Sequence, residues 1–179
     1  MKITFLGGGN MANALIGGML KQGFAAADIT VIDPGSAARE KLERTYAVNC
    51  LETAEMLDSA GDLLVLAVKP QQMKDAVAPL AGKLGQAVVV SIAAGLDLAT
   101  LAHFLGGHRK IVRCMPNTPA LIGAGITGLC PLPEVSAAER EAAERVLSAV
   151  GSTVWIADED RMDGVTALSG SGPAYVFLF

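Results

Sequence analysis

The stretch Ile3-Thr4-Phe5-Leu6-Gly7-Gly8-Gly9-Asn10-Met11-Ala12-Asn13-Ala14-Leu15 opens the chain as strand, glycine turn and helix in succession. Gly7, Gly9 and Ala12 stand in a GxGxxA arrangement at the junction. Gly7 permits a tight turn, Gly9 lets backbone approach a pyrophosphate, and small Ala12 lets the helix pack close to the strand. A diphosphate placed there meets free N–H groups and the positive end of the helix dipole. Glycine turns also serve purely structural junctions, but here the flanking strand and helix and a second strand ending in an acid all fit a dinucleotide site. Asp33 ends that second strand about 20 residues on, where a carboxylate accepts hydrogen bonds from an adenosine ribose. Its charge would repel a 2′-phosphate and so favours NAD. Asp33 is equally suited to start the turn Asp33-Pro34-Gly35, and Ser36 and Arg39 stand within reach of a phosphate, which keeps NADP open.

Outward from this motif, strand-like runs alternate with helical patterns. The second strand is Ile29 to Ile32, reached through a helix from Asn10 to Gln22 that Gly23 ends. A polar helix from Ser36 to Tyr46 precedes a short strand around Val48. The runs Leu63 to Val68 and Val88 to Ile92 are nearly all aliphatic, as strands buried on both faces are. Pro70 is placed to open a helix at its first position, and Asp97 to cap one from Leu98 to Leu105. Ile111 to Cys114 reads as another strand. Such alternation predicts an α/β, doubly wound and mostly parallel Rossmann-type sheet with helices on both faces.

After Met115 a Pro and Gly-rich loop runs to Gly125, and Ile126 to Leu129 forms a strand of either direction. Ser136 and Glu139 make a capping box for a helix reaching Val150, and Thr153 to Ile156 is the last strand. From Asp163 the pattern is helical, interrupted at Gly170 to Pro173, and ends in the apolar run Ala174 to Phe179. That apolar ending needs a cover, either a further helical region or another subunit. The expected division is therefore a dinucleotide-binding domain over 1–158 and the beginning of a helical domain over 159–179.

Composition narrows the function classes. The chain of 179 residues is 51% hydrophobic and 18% charged, which suits a packed core rather than disorder. A net charge of −4, a pI near 5.1 and no basic run argue against nucleic acid as a partner. Mean hydropathy of +0.43 raises the question of a membrane, yet the longest uncharged stretch, Cys114 to Pro133, is broken by four prolines and makes a poor spanning helix. No signal-peptide pattern follows Met1, so a cytoplasmic protein is expected. Cys50, Cys114 and Cys130 are too widely spaced for a metal motif, and His103 and His108 have no ligand partner at metal-site spacing, so no metal is expected.

Five separated segments resemble one family: FLGGGNMANALIGG at Phe5 to Gly18, LAVKPQ at Leu66 to Gln71, VVSIAAG at Val89 to Gly95, RCMPNTPALIGAGIT at Arg113 to Thr127 and ALSGSGPAYVF at Ala167 to Phe177. Together they are similar to the pyrroline-5-carboxylate reductases, within the wider superfamily of 6-phosphogluconate and hydroxyacid dehydrogenases. The resemblance implies reduction of 1-pyrroline-5-carboxylate to L-proline with NADP(H) or NAD(H). It implies that Leu6, Gly7, Gly9, Asn10 and Met11 hold the pyrophosphate, that Ala67, Val68, Lys69 and Pro70 border the cofactor, and that Ala93 and Ala94 lie near the nicotinamide. It also implies a homodimer or higher homo-oligomer built through a helical domain. Asp33 departs from the small polar residue often found at the end of the second strand, against the family's usual preference for NADPH. The Gly and Thr-rich loop by which this family holds its substrate does not occur in these residues.

No obligatory catalytic acid stands out, which suits an imine that is electrophilic once protonated. The catalytic residues are left unassigned. Tyr46 and Tyr175 lack a lysine four positions on, and His103 and His108 suit a helix and a glycine turn. Lys69 either contacts the cofactor through its backbone or is a solvated lysine before Pro70. Asn117 either donates an amide hydrogen bond near nicotinamide or substrate, or stabilises its own Pro-rich turn. Ser169 and Ser171 either line the site or cap the next helix. The alternatives are another NAD(P)-dependent dehydrogenase or imine reductase of the superfamily, or a nucleotide-sensing module without turnover. A hydroxyacid dehydrogenase is disfavoured because no lysine follows Lys110.

Overall fold

A computed structural model of the chain describes residues 1–172. Eight strands form one sheet: β1 (Ile3–Leu6), β2 (Ile29–Ile32), β3 (Asn49–Leu51), β4 (Leu63–Leu66), β5 (Val88–Ser91), β6 (Ile111–Met115), β7 (Gly125–Pro131) and β8 (Gly151–Trp155). Their spatial order is β3-β2-β1-β4-β5-β6-β7-β8. All neighbours pair in parallel except β6 and β7, where Arg113 faces Cys130 in antiparallel register. The expected doubly wound, mostly parallel sheet is present, and β7 takes the antiparallel direction that the sequence had left open.

Among the described residues, six helices cover the sheet: α1 (Asn10–Lys21), α2 (Ser36–Tyr46), α3 (Met73–Val77), α4 (Leu98–Phe104), α5 (Ala137–Leu147) and α6 (Met162–Val165). Alternation along the strands divides the core. Ile3, Phe5, Leu63 and Val65 face Ala12, Leu15, Ile16 and Met19 of α1 and Val146 and Leu147 of α5. Leu6, Leu64 and Leu66 face Met73 and Val77 of α3 and Leu98 and Leu101 of α4. Both faces of β4 are therefore buried, which accounts for its unbroken aliphatic character.

The capping signals act as read. The Asp97 carboxylate accepts from the Thr100 N–H at 2.6 Å, and Ser136 with Glu139 forms a capping box at α5. Pro70 opens a short 3-10 turn, Pro70–Gln72, ahead of α3. Several boundaries differ: the last strand is Gly151–Trp155 rather than Thr153 to Ile156, and the run from Leu63 is strand only to Leu66. The strand near Val48 is Asn49–Leu51, because Val48 itself turns inward after Ala47 closes α2 in the left-handed conformation. Nor do the glycines break the last helix before Gly172: α6 continues as a π turn over Thr166–Ser171, and Ser169 Oγ donates back to the Val165 carbonyl at 2.8 Å instead of capping a new helix. Pro173, Tyr175 and the apolar run Ala174 to Phe179 lie outside the described residues.

Among the described residues, no helix is long and apolar enough to cross a membrane.

Candidate functional site

The sheet order reverses direction at β1, with β2 on one side and β4 on the other. In open α/β sheets, the carboxyl ends of the strands at such a switch point leave a crevice between diverging connections. The glycine turn sits at this point. Gly7 has φ +104°, and a Cβ there would lie 2.7 Å from the Ala67 carbonyl oxygen at the end of β4. Gly8 is buried, and a Cβ on it would meet Leu42 of α2 at 2.9 Å. Gly9 differs from both: its φ is −69°, and nothing lies within 4 Å of where its Cβ would be. Protein packing explains the first two glycines but not the third. The bareness of Gly9 serves the space outside the protein, a cradle that a side chain would fill.

Gly9 is also the N-cap residue of α1. No side chain caps this helix end, and its first turn holds no acidic residue. Among the described residues the leading N–H groups of this 12-residue helix have no side-chain partner, and its dipole faces the crevice. An anion, such as the diphosphate of a dinucleotide, fits that donor set.

Asp33 braces the turn from the next strand. Its Oδ2 accepts from the Gly8 N–H at 2.7 Å, and its Oδ1 accepts from the Gly35 N–H at 2.8 Å. The structure thus shows the turn role of Asp33 and adds a bond to the glycine loop. Arg39 Nη1 donates to the Asp33 carbonyl at 2.7 Å, while Nη2 stands 3.7 Å from Glu52. Ser36 is exposed at the start of α2.

Two clefts flank the turn. The first, of about 660 Å³, is bordered by Leu6, Gly7, Gly9, Asp33, Ala67 and Lys69, with Val68 beside them. The second, of about 490 Å³, is bordered by Asn10, Met11, Ala94, Met115 and Asn117. Most of the residues singled out in the sequence thus converge on the two sides of one helix end. Lys69 is exposed, and among the described residues its amine has no ion-pair partner. Ala93 is buried behind the wall, its N–H 3.4 Å from Ser91 Oγ, and Pro70 lies outside the cleft lining. The side chain of Ser171 lies outside the described residues.

Sequence reading missed Thr53 and Gln72 in the first cleft and Ile92, Leu121 and Thr166 in the second. Thr53 lies two residues beyond β3 and Ile92 directly follows β5, so the rule that ligands meet the carboxyl ends of strands would have found them. Leu121 follows Asn117 within the same loop, whereas Thr166 arrives through tertiary folding of a distant segment, which no local signal announces.

A third cleft, of about 690 Å³, lies along the outer side of α1, but its small residues have structural reasons. Gly17 makes room for the Tyr46 ring, whose hydroxyl donates to Asn13 Oδ1 at 2.9 Å, and Gly18 lies against the Ala149 carbonyl.

The remaining reactive groups are held inert. Burial, with help from Glu43, pushes the Cys50 thiol up to about 11. Burial raises Cys114 and Cys130 as well. His108 Nε2 lies 2.9 Å from the Ala87 carbonyl, a structural contact. No cluster suited to a metal ion occurs among the described residues.

Comparison with known proteins agrees with this geometry. Over 99% of its length the chain is 48% identical to a pyrroline-5-carboxylate reductase of Pseudomonas aeruginosa, covering 65% of that protein. The chain thus spans about 65% of the length of the first curated relatives it matches. A pyrroline-5-carboxylate reductase structure from Coxiella burnetii superposes with a TM-score of 0.93 at 36% identity, covering 99% of this chain and 66% of that one. A Plasmodium falciparum pyrroline carboxylate reductase with NADP bound superposes at 0.86 and 30% identity, over 100% of this chain and 66% of the other. The resemblance carried by the five sequence segments is borne out. The family model described as NADP oxidoreductase, coenzyme F420-dependent, matches residues 2–95, from β1 through the glycine turn to the loop after β5. With more than half of its residues inside that match, the chain belongs to this family of NADP oxidoreductases.

Proposed function

We propose that this chain forms the nucleotide-binding part of an enzyme that reduces 1-pyrroline-5-carboxylate to L-proline with NADPH or NADH. The observation that carries the reading is the 48% identity to a pyrroline-5-carboxylate reductase along 99% of the chain. The bare Gly9 and uncapped α1 between two clefts supply its physical basis. Leu6, Gly7, Gly9, Asn10 and Met11 hold the diphosphate through backbone. Asp33, Ala67, Val68 and Lys69 flank the adenosine half, with Pro70 next in the chain, and Ala94 stands toward the nicotinamide half with Ala93 buried behind it.

When bound, the reduced nicotinamide supplies a hydride to the C=N carbon, and the ring nitrogen of the substrate keeps one proton. The chain's own residues contribute position and dryness. Met11, Ile92 and Met115 give the second cleft an apolar wall that limits water, which strengthens orientation without an acid or base. Residues 1–158 are assigned to the dinucleotide domain and 159–179 to the start of a helical domain through which a homodimer or larger homo-oligomer assembles in the cytoplasm. The apolar, solvent-facing Leu168, 82% exposed, supports a cover from that region.

The test is the loss of reduced-nicotinamide absorbance on adding pyrroline-5-carboxylate to the protein carrying this sequence, with proline measured as product. Proline formed in step with oxidised cofactor is expected. Oxidation that does not depend on pyrroline-5-carboxylate, or none at all, overturns the assignment.

A further inference from the structure

Asn117, just beyond β6, is only 9% exposed, and the orientation of its carboxamide is forced. The Ile126 N–H approaches it at 2.9 Å, and an N–H can be met only by an acceptor. Oδ1 therefore occupies that place, and Nδ2 takes the opposite branch of the planar group. The oxygen pins the loop 118–124 to the start of β7. Nδ2 keeps two hydrogens, and among the described residues neither has a protein acceptor.

No fully enclosed side-chain nitrogen or oxygen lacks a partner among the described residues. Among the described residues Nδ2 then opens onto free space, and the space that Asn117 borders is the second cleft, beside Met11 and Ala94. The described lining of this cleft contains no charged side chain. An anionic substrate group would find no counter-charge in it, whereas a neutral oxygen would find a fixed donor.

We propose that Asn117 is a cofactor-binding residue whose Nδ2 donates to a neutral oxygen of the nicotinamide half, either the carboxamide or its ribose. The proposal rests on the dinucleotide reading above. With the diphosphate on α1 and the adenosine on the Asp33 side, the nicotinamide half enters the second cleft. There, the bond to Ile126 fixes the donor before any ligand arrives, so little ordering entropy opposes its use.

The experiment compares two ligands by calorimetry: NADPH, and 2′-phospho-ADP-ribose, which lacks the nicotinamide. Asn117→Asp preserves an oxygen for Ile126 and removes the donor. It is expected to weaken NADPH about tenfold, the scale of one hydrogen bond to a buried partner, and to leave 2′-phospho-ADP-ribose within about twofold. Asn117→Ser, smaller and neutral, gives the same contrast should the Asp variant fail to fold. Equal losses for both ligands, or no loss for either, overturn the proposal while the dinucleotide reading stands. If the unaltered protein binds neither ligand, the dinucleotide reading falls and the proposal with it.

Discussion

The carboxylate of Asp33 holds the Gly8 N–H at 2.7 Å across the gap between β2 and the glycine turn. Its other oxygen holds Gly35, so one side chain sets the spacing between the two loops that border the first cleft. Replacing it by Ser removes a negative charge from the first cleft and both bonds. The expected result for Asp33→Ser is a stability loss of about 1–3 kcal/mol. A shift of the NADH-to-NADPH preference toward NADPH by about tenfold should accompany it. Melting curves and titrations with both cofactors check this. A lost brace with an unchanged preference would assign Asp33 to the turn alone.

Gly7 and Gly9 should separate folding from binding. Gly9→Ala meets no atom and needs no unusual backbone, so its stability should stay within about 0.5 kcal/mol of the original while dinucleotide affinity drops at least about tenfold. Gly7→Ala combines a left-handed φ with a collision against the Ala67 backbone and should cost about 2 kcal/mol or more. Denaturant unfolding of the two variants, side by side with cofactor titration, reads both effects. Equal behaviour would contradict the division of roles drawn above.

Glu144 offers a spectroscopic pH test. Thr153 Oγ1 donates to its Oε1 at 2.7 Å and the Trp155 indole N–H to its Oε2 at 3.1 Å. These bonds, the threonine's first, hold the Glu144 carboxyl below its usual range. The unfolded chain titrates near the ordinary value of about 4.3, so the stabilisation is complete above that pH and is lost as pH falls through the lower folded value. Trp155 is the single tryptophan, and its emission should change only on that acid side. In Glu144→Gln the same titration should lose this step.

Arg113, 8% exposed in β6, donates to Glu159 at 2.9 Å, and the same carboxylate oxygen accepts from the Leu98 N–H at 2.8 Å. The turn before α6 is thereby tied to the sheet and to the start of α4. Glu159→Ala leaves a buried guanidinium whose remaining ion-pair partner among the described residues is Asp163, at 3.6 Å, and should cost about 2–3 kcal/mol. Because neither residue borders the clefts, affinity for 2′-phospho-ADP-ribose should hold in the folded variant. Chemical denaturation and calorimetry measure the two quantities separately.

Much of this architecture is local in origin. The step from Leu6 to Gly7, the aliphatic runs of β4 and β5, the Asp97 cap and the Ser136–Glu139 box each depend on neighbours a few residues away, and each was readable in the amino-acid order. The nucleotide turn belongs to the same class, since its chemistry lies in adjacent backbone amides and in the absence of side chains. The antiparallel direction of β7 was not readable, because a short apolar run carries no arrow. Nor was the identity of every wall: Thr166 reaches the second cleft from a distant segment. Of the two readings left open for Asn117, the structure shows the loop one, with Oδ1 accepting from the Ile126 N–H, while the ligand role is the proposal made above. A residue type announces which bonds a side chain can make; only the packed chain, by filling some of those valences with buried partners, decides which remain for a ligand.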